Sequence, residues 1–252
     1  MEGPPNTLSP IGSLVLVTNG TQPVQLQVIK QLLERGCRVR ATSDSKETGY
    51  WLDNQFCVEK RSGRFEYFKL DPGSGPGDKQ QLYQQAVAGV DAIVHSPTIG
   101  DLDQPVKEVW AAAAESVVKM LEAANAEKSV HAFSYASSIV AVTPLVSEDQ
   151  RLVTENSWNA KDPILALSGQ NEHHLVHSSS VTYAEQALWQ WARTNSPKFK
   201  INSICPSNLI GQNFAAERTT DWKNWIFELY QDGKAQEVIP GAGPTQARKS
   251  LC

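Results

Sequence analysis

Residues 13–36 read SLVLVTNGTQPVQLQVIKQLLERG. Ser13 to Thr18 form a short apolar, β-branched run, the pattern of a buried strand. Val24, Val28 and Leu32 recur every four residues, with Ile29 and Leu33 beside them, which is one face of an amphipathic helix. Gly36 is placed to end that helix. The outline is a strand, a turn and a helix of the kind that holds a dinucleotide, but most of the glycines that such a turn needs are missing.

The same alternation continues along the chain. Residues 37–42, 64–70, 90–95, 130–137 and 198–205 read as strands, the third of the six ending at Asp71. Residues 79–89, 106–126 and 173–193 read as helices, and PGSGPGD (72–78) as a loop. Strands alternating with helices predict an α/β fold, a Rossmann-type doubly wound parallel sheet covered on both faces. Residues 1–12, polar and rich in Pro and Gly, read as a flexible leader, and residues 13–212 as the dinucleotide-binding domain. Residues 213–252 read as a short, incomplete C-terminal lobe and tail, with Trp222, Trp225 and Ile226 marking one more helix.

Composition narrows the function. The 252 residues carry a net charge of −4 with scattered basic residues, so binding to nucleic acid or to an anionic membrane has no electrostatic support. No apolar run approaches the roughly 20 residues that span a bilayer. The four cysteines, Cys37, Cys57, Cys205 and Cys252, are widely spaced without a CxxC pair, which favours a reducing, cytoplasmic compartment over a disulfide or zinc framework.

Seven segments occur in a telling order: LVLVTN with VIKQLLERGCRVRAT, FEYFKLD, AVAGVDAIVH, LEAA, SVHAFSYASSIVAV, ENSWN and INSICPSNLIG. Together they resemble the extended short-chain dehydrogenase/reductases, and within them the dihydroflavonol reductase-like branch that includes fungal aldehyde and ketone reductases. The resemblance runs over residues 13–215 and fades after Gln212, whereas members of the family continue well beyond the end of this chain. It implies a small-molecule substrate, an NAD(P) cofactor whose binding the missing glycines weaken, and a homodimer through helices of the Rossmann domain.

The family's first turn reads like TGxxGxxG, and its glycines let the backbone approach the pyrophosphate on a helix N-terminus. The cofactor positions implied here are Thr18, Asn19, Gly20, Gln22, Val24, Asp44, Asp71 and Pro206. Asn19, Gln22 and Gln25 match the glycines, Gly20 survives one place out of register, and Pro23 is read within the turn, where it removes an N–H donor. Asn tolerates left-handed backbone, so Asn19 can keep the bend. Asp44 matches the position where users of NADPH often place an Arg. A carboxylate there would repel the 2′-phosphate, so any bound dinucleotide is expected to be NAD(H) rather than NADP(H), with Arg40 and Lys46 nearby arguing the other way. Asp44 reads equally well as a solvated loop residue. Asp71 matches a position near the adenine, and Pro97 in HSPT (95–98) stiffens the wall beside the nicotinamide ribose.

In the family a Ser orients the carbonyl, a Tyr donates the proton, and a Lys one turn later lowers the Tyr pKa. Ser138 in YASSIV matches the Ser; His177 and Val181 stand at the Tyr and Lys positions. Tyr183 has Ala187 at i+4, so a shift of register does not restore the motif. Glu115 matches a helix position that often carries a proton-relay Asn. His173 and His177 share a helix face, but no carboxylate or Cys partner completes a metal site, and none is expected. Three readings follow: a reductase of an aldehyde or ketone in specialised metabolism with a largely degenerate redox site; a non-redox isomerase or cyclase using Ser138 and His177; and a non-catalytic protein that senses a dinucleotide or binds a partner.

Overall fold

A computed structural model describes residues 11–71, 79–97, 99–144, 152–170, 172–207 and 209. Most of the expected leader, the 72–78 loop, and the expected lobe and helix beyond residue 212 lie outside the described residues.

Six strands form one sheet: β1 (Leu14–Val17), β2 (Arg38–Ser43), β3 (Phe65–Lys69), β4 (Ala92–His95), β5 (Ala132–Ala136) and β6 (Lys200–Ile204). Their order is β3-β2-β1-β4-β5-β6, and every pairing is parallel. Among the described residues seven α-helices accompany them: α1 (Pro23–Glu34), α2 (Lys46–Gln55), α3 (Cys57–Arg61), α4 (Lys79–Val87), α5 (Val106–Ala126), α6 (Lys161–Leu167) and α7 (His173–Asn195). The doubly wound Rossmann arrangement expected from the sequence is present.

The run LVLV in β1 does not alternate because both of its faces are covered. Leu14 and Leu16 enter a core layer with Val117, Met120 and Leu121 of α5 and Leu188 of α7. Val15 and Val17 enter the opposite layer with Leu26, Ile29 and Leu33 of α1 and Leu52 of α2. The buried stripe of α1 is thus turned from the predicted one: Val24 remains exposed, and Val28 and Leu32 are only partly buried. The helix ends as expected. Gly36 has φ +82° and donates to Leu33 O, and Cys37 N donates to Leu32 O, the paired bonds of a Schellman cap.

The sequence did not announce α2, α3 or α6. Helix α2 buries only Gly49 and Leu52, and α3 buries nothing, so neither carries an apolar stripe that periodicity could reveal. Local chemistry starts α2 instead, with Ser45 Oγ accepting from Thr48 N at 3.3 Å. Gly49 then lets the helix settle on β3, since a Cβ there would stand 2.1 Å from the Tyr67 ring. Helix α6 is fastened by buried polar groups. Asn159 Nδ2 donates to Asp162 Oδ2 at 2.8 Å and to Val140 O at 2.9 Å, while Ser178 Oγ of α7 donates to the same Asp162 oxygen at 2.6 Å. Asn159 closes the ENSWN segment, whose last residue therefore docks α6 onto α7.

Candidate cofactor and substrate cleft

Strand order reverses between β1 and β4, and in open α/β sheets ligands bind beyond the carboxyl ends of the strands at such a point. A cleft of about 900 Å³ opens there. This lies within the size range of ligand pockets, roughly 300–1,000 Å³.

The first wall is the turn after β1. Asn19 has φ +53°, the left-handed bend expected of it, and its Nδ2 donates to Ser96 O at 2.8 Å. Gly20 N donates to Thr42 O at 2.7 Å, and a Cβ on Gly20 would stand 3.1 Å from Ala41 Cβ. Gly20 therefore serves close packing of the turn on β2. Thr18 Oγ1 accepts from Ser96 N at 2.9 Å and meets His95 Nδ1 at 3.1 Å, which ties the ends of β1 and β4 together. Thr18 borders a smaller adjoining pocket of about 270 Å³. Gln22, Val24 and the buried Gln25 line the main cleft. Pro23, expected inside the turn, is the first residue of α1, where its fixed φ suits the helix and its missing N–H breaks no helical bond. No side chain caps α1, so its open N-terminus faces the place where a phosphate would lie.

The second wall follows β2. Asp44 is exposed and lines the cleft. Arg40 does not reach it: the guanidinium donates to Glu66 Oε1 at 2.7 Å and to the carbonyls of Ala86 and Ala88, each at 2.8 Å. Asp71 pairs with Lys69 at 3.3 Å and is not among the residues that line the cleft. Glu115 borders the smaller pocket, 3.8 Å from both Lys79 and Lys119.

The third wall joins the end of β5 to α7. His177 lines the cleft, as do Ser137, Pro97 and Pro206. The imidazole is open to the cleft, yet protein surrounds it closely enough for desolvation to lower its pKa below the ordinary 6.5. It is therefore mostly neutral at pH 7. Val181 is buried with Val140 and Ala141, so an apolar contact occupies the place of the family's lysine. Tyr183 stacks on Trp110 at 4.2 Å.

Ser138 stands differently from the expectation. It caps a 3₁₀ turn (Ile139–Ala141), accepting from Val140 N at 3.4 Å, and its neighbour Ser137 lines the cleft. Sequence reasoning passed over Ser137 and its partner Glu185. The available signal was the period of two in β5, which puts Phe133, Tyr135 and Ser137 on one face, towards α7. Among the described residues no group of three or more His, Cys, Asp or Glu could hold a metal ion. None of their helices is long and apolar enough to cross a membrane.

This geometry is that of a nicotinamide-dinucleotide-binding Rossmann protein. Residues 77–242 match the NAD-binding family described as male sterility protein, and the chain belongs to that family, within the extended short-chain dehydrogenase/reductases. An NAD-dependent epimerase/dehydratase, terH, from Aspergillus terreus is 28% identical over 94% of this chain and 70% of its own. Aldehyde reductase 2 of Sporidiobolus salmonicolor is 31% identical over 89% of this chain and 66% of its own. Yeast methylglyoxal/isovaleraldehyde reductase Gre2, solved with NADPH, superposes with a TM-score of 0.69 at 19% identity, over 82% of this chain and 61% of that one. The chain thus spans about two thirds of these relatives' length.

Proposed function

We propose that the protein is an NAD(P)-dependent oxidoreductase acting between a small aldehyde or ketone and its alcohol, in specialised metabolism, with His177 handling the proton. One observation carries the reading: His177 and the turn after β1 line the same cleft at the switch point. Asn19, Gln22 and Val24 would hold the pyrophosphate end of the dinucleotide, which supplies or accepts the hydride when bound. Asp44 would face the adenosine ribose. Its carboxylate favours NAD(H), and the engagement of Arg40 elsewhere removes one of the two cations that argued for NADP(H).

A histidine that is neutral at pH 7 accepts a proton from an alcohol more readily than it gives one to a carbonyl. Val181 supports a second reading, because its apolar surroundings offer no cation to tune an acid. In that reading Ser138, or the cleft-facing Ser137, acts with His177 in proton transfer without hydride, as in isomerisation or ring closure.

Calorimetric titration with NADH and NADPH tests the first reading. Micromolar binding, tighter for NADH, is expected. Cofactor-linked turnover should then fall at least about 10²-fold in His177→Ala, the usual contribution of a general acid or base. Binding of neither dinucleotide by a folded sample would overturn it. Turnover without cofactor that still depends on His177 would establish the second.

A further inference from the structure

The serine that lines the cleft is backed by a buried acid of α7. Ser137 Oγ donates to Glu185 Oε2 at 2.5 Å. Glu185, on α7, is only 4% exposed. Its Oε1 accepts from Trp189 Nε1 at 3.2 Å, and Cys205 Sγ lies 3.5 Å from Oε2 and 3.8 Å from Oε1. An indole N–H can only donate, so Oε1 is an acceptor. Burial and the neighbouring Glu185 both push the Cys205 thiol pKa up, so the thiol keeps its proton and is a third donor. Indole, thiol and hydroxyl thus converge on the two oxygens of one buried carboxyl group.

A serine hydroxyl has one proton and two lone pairs. With the proton committed to Glu185, Ser137 has only lone pairs left for the cleft. Ser138 does not compensate, since it is not among the residues that line the cleft. A neutral His177 offers one donor and one acceptor nitrogen and so does not discriminate. We propose that Glu185 positions Ser137 as an acceptor only, and that the cleft consequently takes a ligand bearing a hydroxyl donor, an alcohol, in preference to the carbonyl compound of the same shape. The inference rests on this cleft being the substrate cleft proposed above, and it does not depend on a dinucleotide.

The test is therefore made on the full chain without dinucleotide, using 1-phenylethanol and acetophenone as matched probes in ligand-observed NMR titrations. The alcohol should bind about fivefold more tightly, the scale of one net hydrogen bond. In Ser137→Ala the two affinities should become equal. In Glu185→Gln the carboxamide can donate to Ser137 Oγ and free the hydroxyl proton for the cleft, so the preference should shrink or reverse while circular dichroism stays unchanged. A role of Glu185 in stability alone would not invert a ligand preference. If Glu185→Gln does not fold, the comparison of Ser137→Ala with the unsubstituted chain decides. Equal or tighter binding of acetophenone to the unsubstituted chain overturns the proposal. So does a preference that survives Ser137→Ala, or binding of neither probe at its solubility limit. A failure to bind NADH or NADPH sinks the oxidoreductase reading and leaves this one standing.

Discussion

Asn19 holds a backbone conformation that most residues resist. At φ +53° a Cβ crowds the following carbonyl, which costs roughly 1–2 kcal/mol for ordinary L-residues and less for Asn. Its side chain also bridges to Ser96 O, joining the turn to the end of β4. Asn19→Ala is therefore expected to lose about 1–2 kcal/mol in urea denaturation, whereas Asn19→Gly, which loses the bridge but relieves the backbone, should lose less. Equal losses would mean that the bridge, and not the bend, is what matters. The bend was legible in the sequence because it is a property of the residue itself. The choice between Ser137 and Ser138 was missed although the period of two in β5 carried it, because it turns on strand phase to a single residue. The fate of Arg40 was illegible for another reason: its partners lie 26, 46 and 48 residues away in the chain.

At the scale of elements, legibility followed the hydrophobic pattern. Strand β1 and helix α5 carry continuous or long apolar signals, and the sequence placed them within a few residues; α7 was placed as closely although it buries Ser178, Ser179, Ser180, Thr182 and Glu185 beside its apolar residues. Helix α6 carries a short one, and buried polar bonds position it instead. Asp162 accepts from Asn159 and from Ser178, and all three are buried. Asp162→Ala would leave one Asn159 N–H without its acceptor in the interior and Ser178 with only its longer bond to Leu175 O at 3.3 Å, at a cost of about 1–3 kcal/mol. The expected signature is a lower urea midpoint with an unchanged m-value. Because Ser178 follows His177 directly, loosening this joint should also weaken any ligand that touches His177. A ligand affinity indifferent to Asp162→Ala would show that α7 holds its place in the cleft without α6.

For the whole molecule, the joint between β1 and β4 makes folding sensitive to acid. His95 is buried at the end of β4 against Thr18 and beside the rings of Phe133 and Tyr135, and burial lowers its pKa from 6.5 to about 3. Between those two values the unfolded chain binds a proton that the folded chain refuses. Stability is therefore fully present above about pH 6.5 and declines as the pH falls towards 3, by up to about 1.4 kcal/mol per pH unit. The lowered pKa of His177 acts in the same direction. Glu47, Asp101 and Glu127 also have lowered pKa values, but their contributions fade only as the pH approaches and passes below the carboxylate range. The histidine effect is thus separable, as a slope between pH 6.5 and 4.5. His95→Phe keeps a ring beside Phe133 and Tyr135, and Thr18 retains its bonds to Ser96. The variant should lose about 1 kcal/mol near pH 7.5 through the missing His95–Thr18 bond, yet show a flatter urea midpoint across that acid window. A slope identical to that of the unsubstituted chain would mean that His95 takes up its proton without unfolding the sheet, and would shift the acid sensitivity to His177 at the cleft.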